Sequence, residues 1–300
     1  MNGLFSGITL PTTVVGSYPV VKGQGLSGLL DPYRAAVRTA VADQLAAGID
    51  IISDGQVRGD MVKAFTSRLP GIRGTEVIGT ISPPSGPITV GDTRYALSQA
   101  PRVKGILTGP TTLSFALRIA TPVYRDRGEL AIDLARVLAG EAASLAAAGV
   151  AIIQIDEPIL STGAADIHRA RDALGVLTKD LPVPVCLHVC GDLTLVIDEL
   201  IAMPVSILDF EFAHAAENLA LCRDRAFGGK MVGFGCVDSA DPIAEPVGTI
   251  RSRIEAGRSV FDPGQLLIDP DCGLRMLPRD TAFLKLSRMV EAVREIRREL

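Results

Sequence analysis

The sequence predicts an α/β fold, a (β/α)8 TIM barrel carrying an inserted β-hairpin. Three observations carry that expectation: eight short apolar runs, helix-length segments between them, and chemically active side chains at the ends of the runs. The runs occupy residues 12–17, 50–54, 103–109, 151–157, 183–190, 206–212, 231–237 and 266–269. Their β-branched content suits strands buried on both faces, as parallel strands covered by helices are.

Between the runs, helical periodicity marks residues 33–47, 130–148, 165–177, 193–202, 246–256 and 281–298. Asp31-Pro32 ahead of Tyr33, and Asp192 ahead of Leu193, supply the side-chain acceptors and first-turn geometry with which helices begin. One stretch breaks the rhythm. Residues 71–99 hold Thr75 to Ile81, a Pro83-Pro84-Ser85-Gly86 turn and Pro87 to Val90, which reads as a β-hairpin inserted after the second unit. No linker or low-complexity segment divides the chain, so residues 1–300 are expected to form one catalytic barrel.

Composition narrows the function classes. The formal net charge is −4 and the basic residues are scattered, which leaves no footprint for nucleic acid. No run approaches the roughly 18 uninterrupted apolar residues of a membrane span, so no membrane partner is expected. Met1 to Thr9 lack a charged start and apolar core, so the expected location is the cytoplasm. The five cysteines have no disulfide framework spacing and read as thiols or ligands. Cys222 and Cys236 read as structural.

The chemistry concentrates at strand ends. In an extended strand His188 and Cys190 share a face while Val189 points to the layer behind, so one strand delivers two ligands. Glu211 ends the run at 206–212, and Cys272 follows the run at 266–269. Imidazole, thiolate and carboxylate together suit Zn²⁺, the expected cofactor, at the barrel face where active sites form. Cys186 lies on the same face as His188 but deeper, and is expected to pack in the interior. Asp156 and Glu157 leave the fourth run on opposite sides, so only one can face the mouth. A carboxylate there can bind a substrate ammonium. Gly16 and Ser17 offer donors for a carboxylate group, Asp54 opens a polar loop running to Asp60, and Thr108 to Thr112 offers amides to an anion.

Six ordered motifs resemble the catalytic domain of cobalamin-independent methionine synthase: Leu10 to Pro19, Gly59 to Val62, Val103 to Pro110, Gln154 to Pro158, His188 to Cys190 and Asp269 to Leu274. The likeness is to the short, archaeal-type core form. The resemblance implies zinc on His188, Cys190, Glu211 and Cys272; a hard carboxylate oxygen competes poorly with a soft thiolate, so Glu211 is the ligand expected to yield to the incoming thiol. It implies homocysteine as acceptor, its amino-acid end held by Gly16, Ser17 and Asp156. A family glutamate on the second-strand loop falls near Gly55, so Asp54 or Asp156 is expected to serve the amine.

Three departures concern the methyl donor. The full-length family carries an additional N-terminal barrel, and this chain begins at the catalytic half. Phe115-Ala116 stands where the family places a pterin-stacking tryptophan. Val237 to Asp241 lacks the histidine that protonates a leaving folate nitrogen. A cobalt(I) leaving group needs no acid, so the expected donor is a methylcorrinoid protein; methyltetrahydrofolate or methyltetrahydromethanopterin is the alternative. Two rival functions remain beside this one. A methylcorrinoid:coenzyme M methyltransferase of the uroporphyrinogen-decarboxylase-like group shares the His-x-Cys motif but calls for a basic residue in place of Asp156. A non-catalytic zinc-bearing module that binds a corrinoid protein would keep the ligands without the transfer.

Overall fold

A computed structural model of the chain describes Phe5, residues 7–21, Gly23 and residues 31–300; most of the first residues read above for a leader lie outside it. Six strands pair in parallel and in chain order: β1 (Lys104–Thr108), β2 (Ile152–Asp156), β3 (Val185–Val189), β4 (Ile207–Glu211), β5 (Met231–Val237) and β6 (Leu266–Pro270). Two further staves close the ring through single parallel bridges, Thr12 to Ile268, Thr13 to Ile51 and Ile52 to Val103. Backbone bonds secure the closure, with Thr13 N donating to Ile268 O at 2.8 Å and Lys104 N to Ile52 O at 2.8 Å. The result is the predicted (β/α)8 barrel.

The apolar runs become strands because both faces are covered. Leu187 and Val189 face the helical layer and are fully buried. Cys186, one residue out of phase, joins Phe5, Ile51, Ile152, Ile207, Met231 and Leu267 in a separate apolar floor within the ring. Burying one such Leu or Ile side chain contributes roughly 1.5–3 kcal/mol, and a one-residue slip in register would turn each of them to the wrong face.

The helices are α1 (Arg34–Ala47), α2 (Met61–Thr66), α3 (Val90–Leu97), α4 (Pro110–Ala116), α5 (Arg127–Ala148), α6 (Ile167–Thr178), α7 (Ile197–Ile201), α8 (Glu217–Cys222), α9 (Val247–Arg258) and α10 (Arg279–Arg297). Asp31 Oδ1 accepts from Tyr33 N and Arg34 N ahead of α1, as its position suggested. Asp192 instead closes a local turn onto Thr194, and α7 starts five residues later. Asp126 accepts from Glu129 N at the start of α5, which begins earlier than its apolar pattern because its first turn is polar and faces outward.

Residues 71–99 differ from expectation. Ile72–Arg73 and Glu76–Val77 form a two-residue antiparallel ladder, and Glu76–Val77 pairs in parallel with Arg118–Ile119. Pro87 to Val90 is not the partner strand. It leads into α3, with Glu141 of α5 accepting from Ile88 N and Thr89 N at 2.7 Å each. That buried carboxylate takes up amides a strand partner would otherwise bond.

Candidate metal centre

The register of the barrel builds the site. Asp156 on β2 stands beside His188 on β3, and His188 beside Asp209 on β4, in one row across three staves. Above that row, ligand atoms of His188, Cys190 and Cys272 lie within 4.8 Å of one another. Cys272 arrives from just past β6, so chain positions 84 residues apart meet at the C-terminal end of the barrel.

Glu211 stands outside this cluster. It is half-buried two residues beyond Asp209 on the same strand, and its pKa is raised by burial and by Cys272 nearby, against a hydrogen bond from the Gly191 backbone. The sequence grouped four ligands; the structure brings three together and leaves Glu211 within electrostatic reach.

The donor set fits a thiophilic metal ion. Both ring nitrogens of His188 are buried without a hydrogen-bond partner, and Nδ1 lies 3.3 Å from Asp209 Oδ1, which leaves Nε2 for a ligand. The two thiols are already polarised. Cys190 beside it holds the Cys272 thiol well below the ordinary range, while Cys190 itself is raised by that neighbour and by burial. Burial opposes charge on His188, yet Asp209 and the two sulfurs raise its pKa well above the usual value. A metal cation entering here meets one nitrogen and two sulfurs, a borderline-soft set that suits Zn²⁺.

Beneath the cluster lies a charged layer that the sequence reading passed over. Lys104 is buried inside the ring, its Nζ donating to Val14 O at 3.0 Å and Gln154 Oε1 at 2.7 Å. Burial, then neighbouring Asp209, drives the Asp269 carboxyl well above its usual range. Against its own burial, Asp209 is held below its usual range by His188 and Lys104. Glycines on β5 make room: a Cβ at Gly233 would stand 2.7 Å from Asp209 Cβ, and one at Gly235 2.6 Å from Asp271 Oδ1. A signal was present in the sequence. Counting back by twos from Glu211 puts Asp209 on the inward face.

A cavity of about 830 Å³ opens from this cluster. Ser17, Asp54, Asp156, His188, Cys190 and Cys272 line it, together with Met61, Phe65 and Arg68 from the second-strand loop and α2. Asp156 faces it with Oδ1 accepting from Gln154 Nε2 at 2.7 Å, and burial raises its pKa to about 6. Glu157 turns the other way. It accepts from Thr111 N, Thr112 N and Thr112 Oγ1 at 2.9, 2.6 and 2.7 Å, so the amides at the start of α4 already have their anion. Ser17 Oγ packs over Gly273, where an added Cβ would be 1.9 Å away, and Gly16 leaves no room for a side chain beside Ile106. Asp54 is committed within the protein, accepting from Gln56 N at 2.9 Å and Thr93 Oγ1 at 3.2 Å.

Two residues bear on the methyl donor. Phe115 is absent from the cavity wall, its ring instead lying under the Arg127 guanidinium at 4.8 Å. Val237 to Asp241 carries no histidine, as read from the sequence, but His214, from the loop after β4, reaches Asp238 with Nδ1 to Oδ2 at 3.2 Å. The pairing across two loops is invisible to a motif that looks for both residues in one segment. Asp238 raises the His214 pKa, and Asp271 fastens the loop by accepting from Phe212 N, Ala213 N and His214 N.

Residues 10–295 match the family model described as "Cobalamin-independent synthase, Catalytic domain". The chain belongs to that family. Within reach of this catalytic-domain family, a methionine synthase of Methanothermobacter marburgensis is 44% identical over 95% of this chain and 99% of its own length. A methionine synthase of Methanocaldococcus jannaschii is 43% identical over 95% of this chain and 99% of its own. Among solved structures, a B12-independent methionine synthase from a Shewanella species in complex with selenomethionine superposes with a TM-score of 0.85 at 25% identity, covering 97% of this chain and 99% of that one. Among the described residues, no helix is long and apolar enough to cross a membrane.

Proposed function

We propose that the protein is a zinc-dependent methyltransferase that makes methionine by moving a methyl group to the thiol of homocysteine, with a methylcorrinoid protein as donor. The observation that carries this reading is the convergence of His188, Cys190 and Cys272 at the barrel mouth, in a chain matched along nearly its whole length by methionine synthases. His188, Cys190 and Cys272 would hold the metal, and Glu211 would add a displaceable oxygen ligand. Zinc, when bound, acidifies the acceptor thiol and keeps it nucleophilic near neutral pH.

The chain's own groups do the rest. Asp156 offers its second carboxylate oxygen to the acceptor ammonium, and being raised to about 6 it is ionised at neutral pH. The Ser17 hydroxyl and the backbone beside Gly16 supply donors for the acceptor carboxylate. Depth in the cavity keeps water from the reacting atoms and fixes their line of approach. The new C–S bond forms as the methyl–cobalt bond breaks, its electron pair staying on cobalt, so the corrinoid leaves without a proton. Placement of Phe115 away from the cavity supports a donor that does not stack there. Asp156, next to His188 in the strand register, weighs against coenzyme M as the acceptor, and a cavity leading to the cluster weighs against a module that only binds.

His214 favours a second reading of the donor. An imidazole held by Asp238 is a proton source, which an amine leaving group such as that of methyltetrahydrofolate or methyltetrahydromethanopterin requires. The test is direct. Zinc-loaded protein is incubated with homocysteine and either methylcobalamin or methyltetrahydrofolate, and methionine is measured for wild type and His214→Ala. Methionine from methylcobalamin, undiminished by His214→Ala, upholds the corrinoid reading. Methionine from folate alone, lost with His214→Ala, replaces the donor; methylation of coenzyme M alone replaces the acceptor.

A further inference from the structure

We infer that Gln154 is a positioning residue for the acceptor: its carboxamide pins one oxygen of Asp156 so that the other faces the incoming ammonium. The inference rests on the amino-acid thiol reading above and deepens it by naming what aims the carboxylate. Gln154 and Asp156 are two residues apart on β2, so both side chains point into the ring. Gln154 is fully buried, whereas Asp156 lies higher and lines the cavity. Three staves meet at the amide. Its Oε1 accepts from Lys104 Nζ of β1 at 2.7 Å. Its Nε2 donates to Val15 O, just past the Thr13 bridge, and to Asp156 Oδ1, at 2.7 Å each.

The chemistry of Lys104 decides which way round the amide stands. An ammonium has only protons to give, so the carboxamide must turn its oxygen toward Nζ, which leaves the NH2 group for the other side. Both hydrogens of that group are then used, one on Val15 O and one on Asp156 Oδ1. Lys104 is itself buried and anchored on Val14 O at 3.0 Å. Turning the amide over would set donor against donor at Lys104 and acceptor against acceptor at Val15 and Asp156. The last torsion of a carboxylate is soft, so a partner on one oxygen is what fixes where the other points. Among the described residues, no hydrogen bond reaches Asp156 Oδ2. An amide present only to satisfy the buried Lys104 could be replaced by a glutamate without loss, whereas an amide that aims Asp156 could not.

Gln154→Glu separates the two roles, because it keeps an acceptor for Lys104 and turns the bond to Asp156 into a contact between two acceptors. Homocysteine is compared with its deamino analogue, which keeps the thiol and carboxylate, using the zinc-loaded full chain and the donor that supports wild-type turnover. In Gln154→Glu the KM for homocysteine should rise about 10-fold with kcat little changed, as for loss of a hydrogen bond to a charged group. The analogue's KM should stay at its wild-type value. Gln154→Met, which lacks the donors and adds no charge, should raise the homocysteine KM alike. Placed on Asp156→Asn, Gln154→Glu should add no more than about twofold, since the carboxylate it aims is gone. An equal rise for both acceptors, a wild-type homocysteine KM in Gln154→Glu, full additivity with Asp156→Asn, or loss of the fold in both Gln154 variants would overturn the assignment. Asp156→Asn with an unchanged homocysteine KM refutes the amine reading, and wild-type protein that methylates neither thiol refutes the function, each before Gln154 is read.

Discussion

Replacing Asp209 by asparagine tests whether the layer beneath the cluster sets the metal affinity. His188 and Asp209 are neighbours in register, 3.3 Å apart, with side chains 3% and 0% exposed. Asparagine keeps the volume but removes the charge, and its amide can present a donor to the ring nitrogen that Asp209 faces. Loss of a carboxylate behind a ligating histidine reduces metal affinity about 10- to 100-fold, equivalent to ~1.4–2.7 kcal/mol. The assay is competition for zinc against a chromophoric chelator at fixed pH. Cobalt substitution then reports whether the sulfur-to-metal absorption survives. Wild-type zinc affinity in Asp209→Asn, in a protein with unchanged circular dichroism, would refute the argument that this carboxylate orients His188.

Glu157→Ala should cost about 2–4 kcal/mol in urea unfolding, since it strands two backbone amides and a hydroxyl at the buried start of α4; a cost below 1 kcal/mol would mean water reaches them. The pH dependence of stability has a definite sign. Burial raises Asp156 to about 6, and Glu157 and Asp271 to about 7, so between roughly pH 4 and 7 the folded chain binds more protons than the unfolded one. Zinc-free protein should therefore lose stability as pH rises from 5 to 7.5, read as a falling urea midpoint; a rising midpoint would contradict those environments. In wild type, kcat/KM for homocysteine should climb through an acid limb near pH 6 as Asp156 ionises, and Asp156→Asn should raise KM and abolish that limb.

Much of the site was legible because strand periodicity is strict. His188 and Cys190 had to share a face, and Cys186 had to lie below them, where it packs in the barrel floor. Asp156 and Glu157 had to diverge, though which faced the mouth depended on the α4 amides that claimed Glu157. The second-strand loop was harder to read. Asp54 lines the cavity as a ligand-facing carboxylate would, and its bonds to Gln56 and Thr93 make it a brace of the loop as well. Pro87 to Val90 carried a strand-like composition, yet Glu141, more than 50 residues later, drew its amides into a helix start.

Local chemistry, written into period-two alternation and residue type, determined the barrel, the inward faces and the candidate ligands. Contacts between residues far apart in the chain decided the rest: His214 meeting Asp238, Lys104 buried among carboxyls, and Gln56 set against Gly16. A strand's alternation is a property of its own backbone, whereas the environment that sets a side chain's charge and partner is assembled from other staves. That is why the candidate ligands could be named from the sequence, while the residues that surround them appear only once the ring is closed.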